Sequence, residues 1–244
     1  MNRILILTAT ITPPAEAKDL AFTDPKIRLG EYEATLKHLG YANIASSFSC
    51  IIFVENSGFN LDSLKNKFAF VEFISLEKSH LNRSEQRGFC ELLTLRDSMT
   101  ILNRQHMIGD DDLVYKMTGR YRLENMNQII SDDFDLHADF RTIPDHWMDM
   151  RFMGFRYSFF MTHVENILNL SKSKEFKNIS MEVVCFKYFQ MMRTKCKVKS
   201  RFSTVPRFNG VCGATGINYL NGMKNKTKYC LRVVLRKAAP FIWV

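Results

Sequence analysis

The sequence predicts one α/β domain in which helices flank a mostly parallel central sheet. Of its 244 residues, 46% are hydrophobic and 24% are charged, which excludes a disordered chain and supplies a large core. Over roughly the first half, apolar runs of strand length alternate with segments of helical periodicity. Strands buried on both faces of a parallel sheet have such continuous apolar runs, so the alternation indicates strand–helix–strand units.

Four buried strands and two long helices are predicted in this first half. The strands are expected at 3–11, 50–54, 68–76 and 113–117. Apolar residues at positions 29, 32, 36 and 39 predict a helix over 27–39 that ends at Gly40. A second helix is expected at 84–102, with Ser84 as its N-cap.

The second half is less regular. We predict a short helix and an acidic turn over 124–137, one or two strands over 148–160, and a helix over 181–192. Residues 157–170 fit either a strand or a helix, and the Gly- and Asn-rich segment 206–219 reads as a loop. Without a linker or repeat, residues 1–121 and 122–244 are expected to be two halves of a single domain.

The basic charge is confined to the last third of the chain. The net charge is +9, yet residues 172–244 hold 16 Lys and Arg against two acids, Glu175 and Glu182. Such a segment suits a polyanion, an anionic membrane surface or ligand phosphates, or is simply a solvated surface. The scattered cysteines and the lack of a signal-peptide pattern or a spanning segment predict a cytoplasmic protein.

Several common catalytic motifs are missing from the sequence. It has no Gly-x-Gly-x-x-Gly, no phosphate loop ending in Gly-Lys-Ser/Thr, no Gly-x-Ser-x-Gly and no His-x-x-x-His pair. The missing glycine-rich first loop argues against a methyltransferase, which would also be α/β. The run Asp110-Asp111-Asp112 precedes its strand, at the edge where ligands do not bind, and is interpreted as a solvated loop.

Polar residues follow three of the predicted strands. They are Thr8-Ala9-Thr10, Glu55-Asn56-Ser57-Gly58 and Thr118-Gly119-Arg120-Tyr121. Ligands of parallel α/β sheets bind beyond the carboxyl ends of the strands, so these residues are candidate ligand contacts. Ordinary turns are the alternative, since Gly, Asn and Ser favour turns.

An ordered series of short motifs along most of the chain resembles a known family. The series comprises Thr8-Ala9-Thr10, Arg28…Tyr32…Leu36, Ile51 to Gly58, Asn82…Gly88…Glu91, Val114 to Tyr121, Asp139…Arg141 and Met181-Glu182. It resembles bacterial glycosyltransferases of capsule and O-antigen gene clusters, which have a GT-A-like, Rossmann-like fold. The resemblance implies a nucleotide-sugar donor bound by residues 1–121 and an acceptor bound by residues 122–244. The acceptor it implies is a glycan or a lipid-linked oligosaccharide.

One departure from the GT-A pattern concerns the metal. Where that fold usually carries Asp-x-Asp, this chain has Lys116 to Tyr121. Fixed cations stabilise a departing phosphate as a metal ion does, so Lys116 and Arg120 are expected to replace the metal. We therefore predict no metal and no other cofactor.

Candidate donor contacts are Thr8, Thr10, Glu55, Asn56, Lys116, Thr118 and Gly119, with Asp139 and Arg141 as further substrate contacts. Inverting transfer needs a general base, for which Glu182 is the first candidate, then Asp149, and then Asp139. Glu182 is alternatively a helix-start acid, and the two aspartates are alternatively partners of Arg141 and Arg151. A retaining enzyme would need no such base.

The final third allows two further readings. Residues 224–237 are basic and are followed by Pro240 to Val244, which suggests reversible docking on an anionic membrane, although this end could instead pack on the core. A nucleic-acid-binding protein is the competing class, but Phe202, Phe208 and Tyr219 match base-stacking surfaces poorly, so nucleic acid is not expected as a partner. The loop 206–219 is expected to cover the site and exclude water.

Overall fold

The computed structural model describes residues 1–14, 20–76, 87–142, 146–213, 216, 218–219 and 223–238. The strands of this part of the chain are β1 (Arg3–Ala9), β2 (Cys50–Glu55), β3 (Glu72–Ser75), β4 (Leu113–Thr118), β5 (Arg122–Leu123), β6 (Leu136–Arg141), β7 (Trp147–Arg156), β8 (Val198–Lys199) and β9 (Phe208–Asn209). Its α-helices are α1 (Pro25–Tyr41), α2 (Asp62–Lys67), α3 (Arg87–Arg104), α4 (Met126–Ile129), α5 (Tyr157–Lys172), α6 (Met181–Met192) and α7 (Met223–Ala238).

Seven strands form one central sheet in the order β3-β2-β1-β4-β7-β6-β8. β7 is antiparallel to both of its neighbours, and the other six strands all run in one direction. The predicted single α/β domain with a mostly parallel sheet is therefore confirmed. Strands from both halves of the sequence belong to this sheet, while β5 and β9 form a separate two-stranded sheet.

The sheet separates two hydrophobic cores. Ile4 and Ile6 of β1 pack with α3, α5 and α6 on what we call the α3 face. Leu5 and Leu7 pack with α1, α2, α4 and the β5–β9 sheet on the α1 face. Because side chains alternate along a strand, each strand end sends its polar residues to both faces of the carboxyl edge.

Helix α1 is longer than its apolar pattern indicates. It begins at Pro25, where Asp24 caps it by accepting a hydrogen bond from the backbone N of Lys26 at 2.8 Å. Proline is favoured at the first helical position because its missing N–H would be unpaired there anyway. Gly40 lies inside the helix, so the predicted glycine cap is wrong; Ala42 is the C-cap residue.

Three other elements differ from the sequence prediction, and one open alternative is resolved. The third strand shortens to Glu72–Ser75, because 68–71 form the C-cap of α2 and a turn. Strand β6, over 136–141, was not predicted, and the acidic turn predicted within 124–137 overlaps its first two residues. The alternatives over 148–170 resolve into one long strand, β7, and a helix, α5. The predicted loop 206–219 contains β9, and the proposed cap Ser84 lies outside the described residues.

Helix α7 turns its two arginines inward and three of its lysines outward. Arg232 and Arg236 are largely buried, whereas Lys226, Lys228 and Lys237 are exposed. None of the described helices is both long enough and apolar enough to cross a bilayer. The predicted membrane docking also involved the apolar end 240–244, which lies outside the described residues.

Candidate active site

The sheet has a switch point between β1 and β4. The chain leaves β1 to build β2 and β3 on one side and then returns to β4 on the other, so the connections diverge at the carboxyl edge. Gly119 lies in this gap, and its backbone N donates a hydrogen bond to the Thr8 carbonyl at 2.9 Å. A Cβ at Gly119 would come within 3.0 Å of that oxygen and 3.2 Å of the Tyr32 ring, so the close approach requires glycine.

On the α3 face, a partly buried ion pair occupies the switch point. Glu91 of α3 accepts hydrogen bonds from the hydroxyls of Thr8 at 2.8 Å and Thr118 at 3.0 Å, and its carboxylate pairs with Lys116 Nζ at 2.6 Å. Burial alone would raise the pKa of Glu91, but the Lys116 charge and these hydrogen bonds lower it.

This arrangement corrects the expected role of Lys116. The side chain is fully buried, and its Nζ also donates to the Met150 carbonyl at 2.6 Å and the Thr118 hydroxyl at 3.2 Å. An ammonium has three donors, and all three are used here, so Lys116 is not placed to bind phosphate. Glu91 was not among the sequence candidates; its only sequence signal is its place in the resemblance.

The polar residues after β2 hold their own loop. Glu55 is fully buried and accepts backbone N–H groups from Ile11, Ser57 and Phe59 at 3.0–3.1 Å. Such a carboxylate fixes the loop conformation and has little capacity left for a ligand.

Asn56 and Thr10 tie the ends of β1 and β2 together. The Asn56 carbonyl accepts the Thr10 hydroxyl at 2.7 Å, and its amide donates to the Thr94 hydroxyl of α3 at 2.8 Å. Both side chains are thus engaged in positioning the strand ends, and their expected contact with a nucleobase remains a prediction.

On the α1 face, two arginines lie at the switch point. Arg120 is 8% exposed and donates to Glu31 at 3.0 Å. Arg28 donates its Nε to the Thr10 carbonyl at 2.7 Å and its Nη1 to the Phe22 carbonyl at 3.3 Å. Burial lowers the pKa of Arg28, and the charge of Arg120 adds to that effect. Arg120 forms an ion pair with Glu31, and the charge of that carboxylate also acts on Arg28.

Part of the 206–219 segment, the predicted covering loop, packs on Arg120. A Cβ at Gly213 would lie 2.3 Å from Arg120 Nη2, and the Gly213 carbonyl accepts the backbone N of Ala21 at 2.9 Å. Gly210 has a φ of 143°, which other residues rarely adopt, and its Cα faces the Arg120 carbonyl. Residues 214, 215 and 217 of this segment lie outside the described part of the chain.

A second group of arginines, here called the arginine cluster, surrounds two aspartates on the same face. Asp139 and Asp149 are cross-strand neighbours on β6 and β7, an arrangement that is unfavourable for two like charges. Asp149 accepts from Arg141 at 2.8 Å and from Arg151 Nε at 2.8 Å. Asp139 accepts from Arg232 at 2.8 Å and Arg236 at 2.7 Å, both on α7. We define the arginine cluster as Arg141, Arg151, Arg232 and Arg236.

These contacts speak against the two aspartates as general bases. Burial alone would raise the pKa of Asp149, but Arg151 and Arg141 hold it well below its usual range. A carboxylate with a depressed pKa and two guanidinium partners is a poor proton acceptor. Asp139 is equally enclosed, so both residues serve to organise the arginines.

The sequence did not identify Arg151, Arg232 or Arg236 as site residues. The Arg151 guanidinium contacts the rings of Phe208, at 4.2 Å, and Tyr219, at 4.7 Å from their centroids. The only sequence signal for the α7 arginines was the basic excess of the last third.

Glu182, the preferred base, lies in the first turn of α6 on the α3 face. It lines a cavity of about 380 Å³ together with Trp147, Ser180 and Val183. The Arg141 guanidinium stacks on the Trp147 ring at 4.4 Å, which connects this cavity to the arginine cluster. Glu182 is partly exposed and, unlike Asp149, remains accessible to an acceptor.

The end of β4 does not fit a divalent metal ion. Its side chains are Lys116, Thr118 and Arg120, and the neighbouring carboxylates of Glu91 and Glu31 are each paired with one of these cations. Magnesium and manganese prefer carboxylate oxygens without such competition. Within the described ranges, no three His, Cys, Asp or Glu residues are grouped as metal ligands.

Comparison with known proteins gives matches only at the level of structure. No family model matches the sequence, and no curated protein sequence matches it. The similar solved structures include 4-diphosphocytidyl-2C-methyl-D-erythritol synthase, with 10% identity and a TM-score of 0.49 over 95% of this chain and 100% of that one.

Two others have names in the class that the residue resemblance implied. A protein of Desulfovibrio desulfuricans G20, provisionally named a nucleotide-diphospho-sugar transferase, has 11% identity and a TM-score of 0.44 over 81% of this chain and 78% of its own. The apo-form glycosyltransferase GlyE of Streptococcus pneumoniae TIGR4 has 9% identity and a TM-score of 0.46 over 81% of this chain and 44% of its own. Likeness at this level carries no inference about activity, which must come from the site itself.

Proposed function

We propose that this chain is a glycosyltransferase that moves a sugar from a nucleotide-activated donor to a glycan acceptor. The observation that carries the proposal is the position of Arg120 and Arg28, two buried guanidinium groups beside the β1–β4 switch point and under the loop at Gly213. A diphosphate leaving group needs fixed positive charge where its negative charge develops, and ligands of such sheets bind at this position.

In the proposed reaction, an acceptor hydroxyl attacks the anomeric carbon of the donor sugar, and the bond from that carbon to the diphosphate oxygen breaks. Arg120 stabilises the charge on the departing diphosphate. Glu182 accepts the hydroxyl proton if the reaction inverts configuration, since it is the accessible carboxylate of the Trp147 cavity. Thr8, Thr118 and Gly119 shape the donor crevice, in which Lys116 and Glu91 act as positioning residues.

The finer assignment follows the residue resemblance. The acceptor is proposed to be a capsule or O-antigen precursor, bound by residues 122–244 and carried on a lipid at the cytoplasmic face of a membrane. Fixed arginines in place of Asp-x-Asp make the proposed transfer independent of metal. The chain would reach its acceptor by peripheral attachment through the lysines on the outer side of α7.

A thermal-shift screen of nucleotides, nucleotide sugars and oligonucleotides tests the proposal, because a ligand that binds only the native state raises the melting temperature. We expect a shift with at least one nucleotide sugar that is absent in the Arg120→Gln variant. A shift with oligonucleotides alone would overturn the proposal in favour of nucleic-acid binding. The first outcome is expected, since Phe208 and Tyr219 already pack against the Arg151 guanidinium.

A further inference from the structure

The arginine cluster lies beside the proposed donor crevice but is not needed to form it. Arg141 and Arg151 share the single carboxylate of Asp149 among the described residues. Two guanidinium groups on one carboxylate leave a net positive charge on this side of the cluster. An additional arginine, Arg201, interacts electrostatically with Arg236 and Asp139.

One donor in the cluster is unused. Arg141 is 8% exposed, and its Nε is buried without a hydrogen-bond partner among the described residues. Leaving a buried charged donor unpaired is costly, and such groups are rare in native structures. The Trp147 ring, stacked at 4.4 Å, holds the guanidinium plane in place, so Arg141 is preorganised although one of its donors is idle.

The crowding of cations points in the same direction. Burial lowers the pKa of Arg141, and the nearby charge of Arg151 adds to this effect. Burial and the charge of Arg141 likewise lower the pKa of Arg232 to about 10. A bound anion would favour the charged form of both groups and would relieve the repulsion between them.

We propose that Arg141 and its neighbours Arg151 and Arg232 form a phosphate-binding site in which the idle Arg141 Nε donates to a phosphate oxygen. A tetrahedral dianion offers several acceptor oxygens and suits the planar forks of converging arginines. The site requires no nucleotide, so the inference goes beyond the proposed function and survives or fails separately from it.

Titration with inorganic phosphate, followed by calorimetry and by melting temperature, tests this site. Phosphate should bind the full chain at low salt and raise its melting temperature more than chloride does at equal ionic strength. Arg141→Lys keeps the charge but removes Nε, and should weaken phosphate binding about tenfold or more. Arg141→Gln also removes the charge, so it should bind phosphate more weakly than Arg141→Lys. Arg104→Gln removes one exposed charge at the end of α3 and should leave binding unchanged.

Two results would overturn the proposed phosphate site. One is wild-type protein that does not distinguish phosphate from chloride, and the other is Arg141→Lys protein that melts normally and binds phosphate like the wild type.

Competition with pyrophosphate identifies the source of the phosphate. If Arg120→Gln and Arg141→Lys both weaken pyrophosphate binding, the site holds part of the donor diphosphate. If glycerol phosphate still binds in saturating pyrophosphate, the site holds a phosphate of the acceptor. Both results support a phosphate site, and the nucleotide screen tests the proposed function independently.

Discussion

Arg120 and its partner Glu31 allow a catalytic role to be separated from a structural one. If Arg120 stabilises the leaving diphosphate, Arg120→Gln should lower kcat by about 100- to 1,000-fold, as loss of one charge-stabilising donor commonly does. Glu31→Gln breaks the same ion pair but leaves the guanidinium in place, so its activity should stay near normal. Transfer assays with both variants make the comparison. Equal losses would show that only the pair, and not Arg120 itself, matters.

Glu182→Gln tests the proposed general base. The variant should lose about 10²- to 10⁴-fold in kcat for an inverting transfer. Glu175→Gln changes the other acid of the basic third, which is exposed, and serves as the matched control. Unchanged rates in Glu182→Gln would leave Glu182 as a helix-start acid and would favour a retaining mechanism.

Asp149 should make the stability of the fold dependent on pH. Its pKa is held below its usual range, so its stabilisation is complete above the unfolded value of about 3.9 and is lost as the pH falls through the folded pKa. Asp149→Asn leaves Arg141 and Arg151 without their carboxylate, and should lower the free energy of unfolding at pH 7 by about 3–5 kcal/mol.

Urea denaturation at several pH values measures this effect. The difference between wild type and Asp149→Asn should shrink below about pH 4, because the wild type then loses the same stabilisation. Asp132→Asn breaks a solvent-accessible pair with Arg3 and should cost about 1 kcal/mol or less. A difference between wild type and Asp149→Asn that does not change with pH would contradict the ion-pair explanation.

Helix α7 is held to the sheet by its two inward arginines. They bind Asp139, so deleting the helix would strip a buried carboxylate of both cations. Deleting residues 224–244 would therefore impair folding as well as any membrane docking. Only the outer side, with Lys226, Lys228 and Lys237 beside the exposed Leu231 and Val234, remains available for a membrane.

Changing these three lysines to Gln tests membrane docking without touching the arginines. The triple variant should bind anionic liposomes at least tenfold more weakly, since each lysine near such a surface contributes about 1 kcal/mol. Co-sedimentation at low and high salt measures the binding. A matched variant of the exposed Lys174, Lys177 and Lys195 removes the same charge elsewhere and should bind normally. Equal loss in both variants would indicate a general charge effect and would exclude docking through α7.

Metal independence is a prediction about the whole molecule. If arginines take the place of the divalent ion that would balance the diphosphate, activity should survive excess chelator and should not increase with added manganese or magnesium. Transfer assays with dialysed protein, with and without chelator, measure this. Activity that is lost in chelator and restored by either ion would show that the arginines do not replace a metal.

How well the fold could be predicted depended on how strongly each segment was patterned. The strands ending near Ala9, Glu55 and Thr118 are continuous apolar runs, and they were located to within about two residues. β6 was not predicted, because His137, Asp139 and Arg141 alternate with its apolar residues. The partners that allow these polar side chains to be buried come from other elements.

The sequence alone determined the α/β class, the carboxyl edge where polar residues gather, and the basic character of the last third. Only the tertiary structure decided which polar residues face one another. Alternation along each strand sends Thr8, Lys116 and Thr118 to the α3 face, where Glu91 neutralises Lys116. The opposite face receives Arg120 together with the arginine cluster, two members of which come from a helix about 90 residues further along the chain than Asp139. Side-chain direction and long-range partners follow from strand register and helix docking, and local sequence patterns do not encode these.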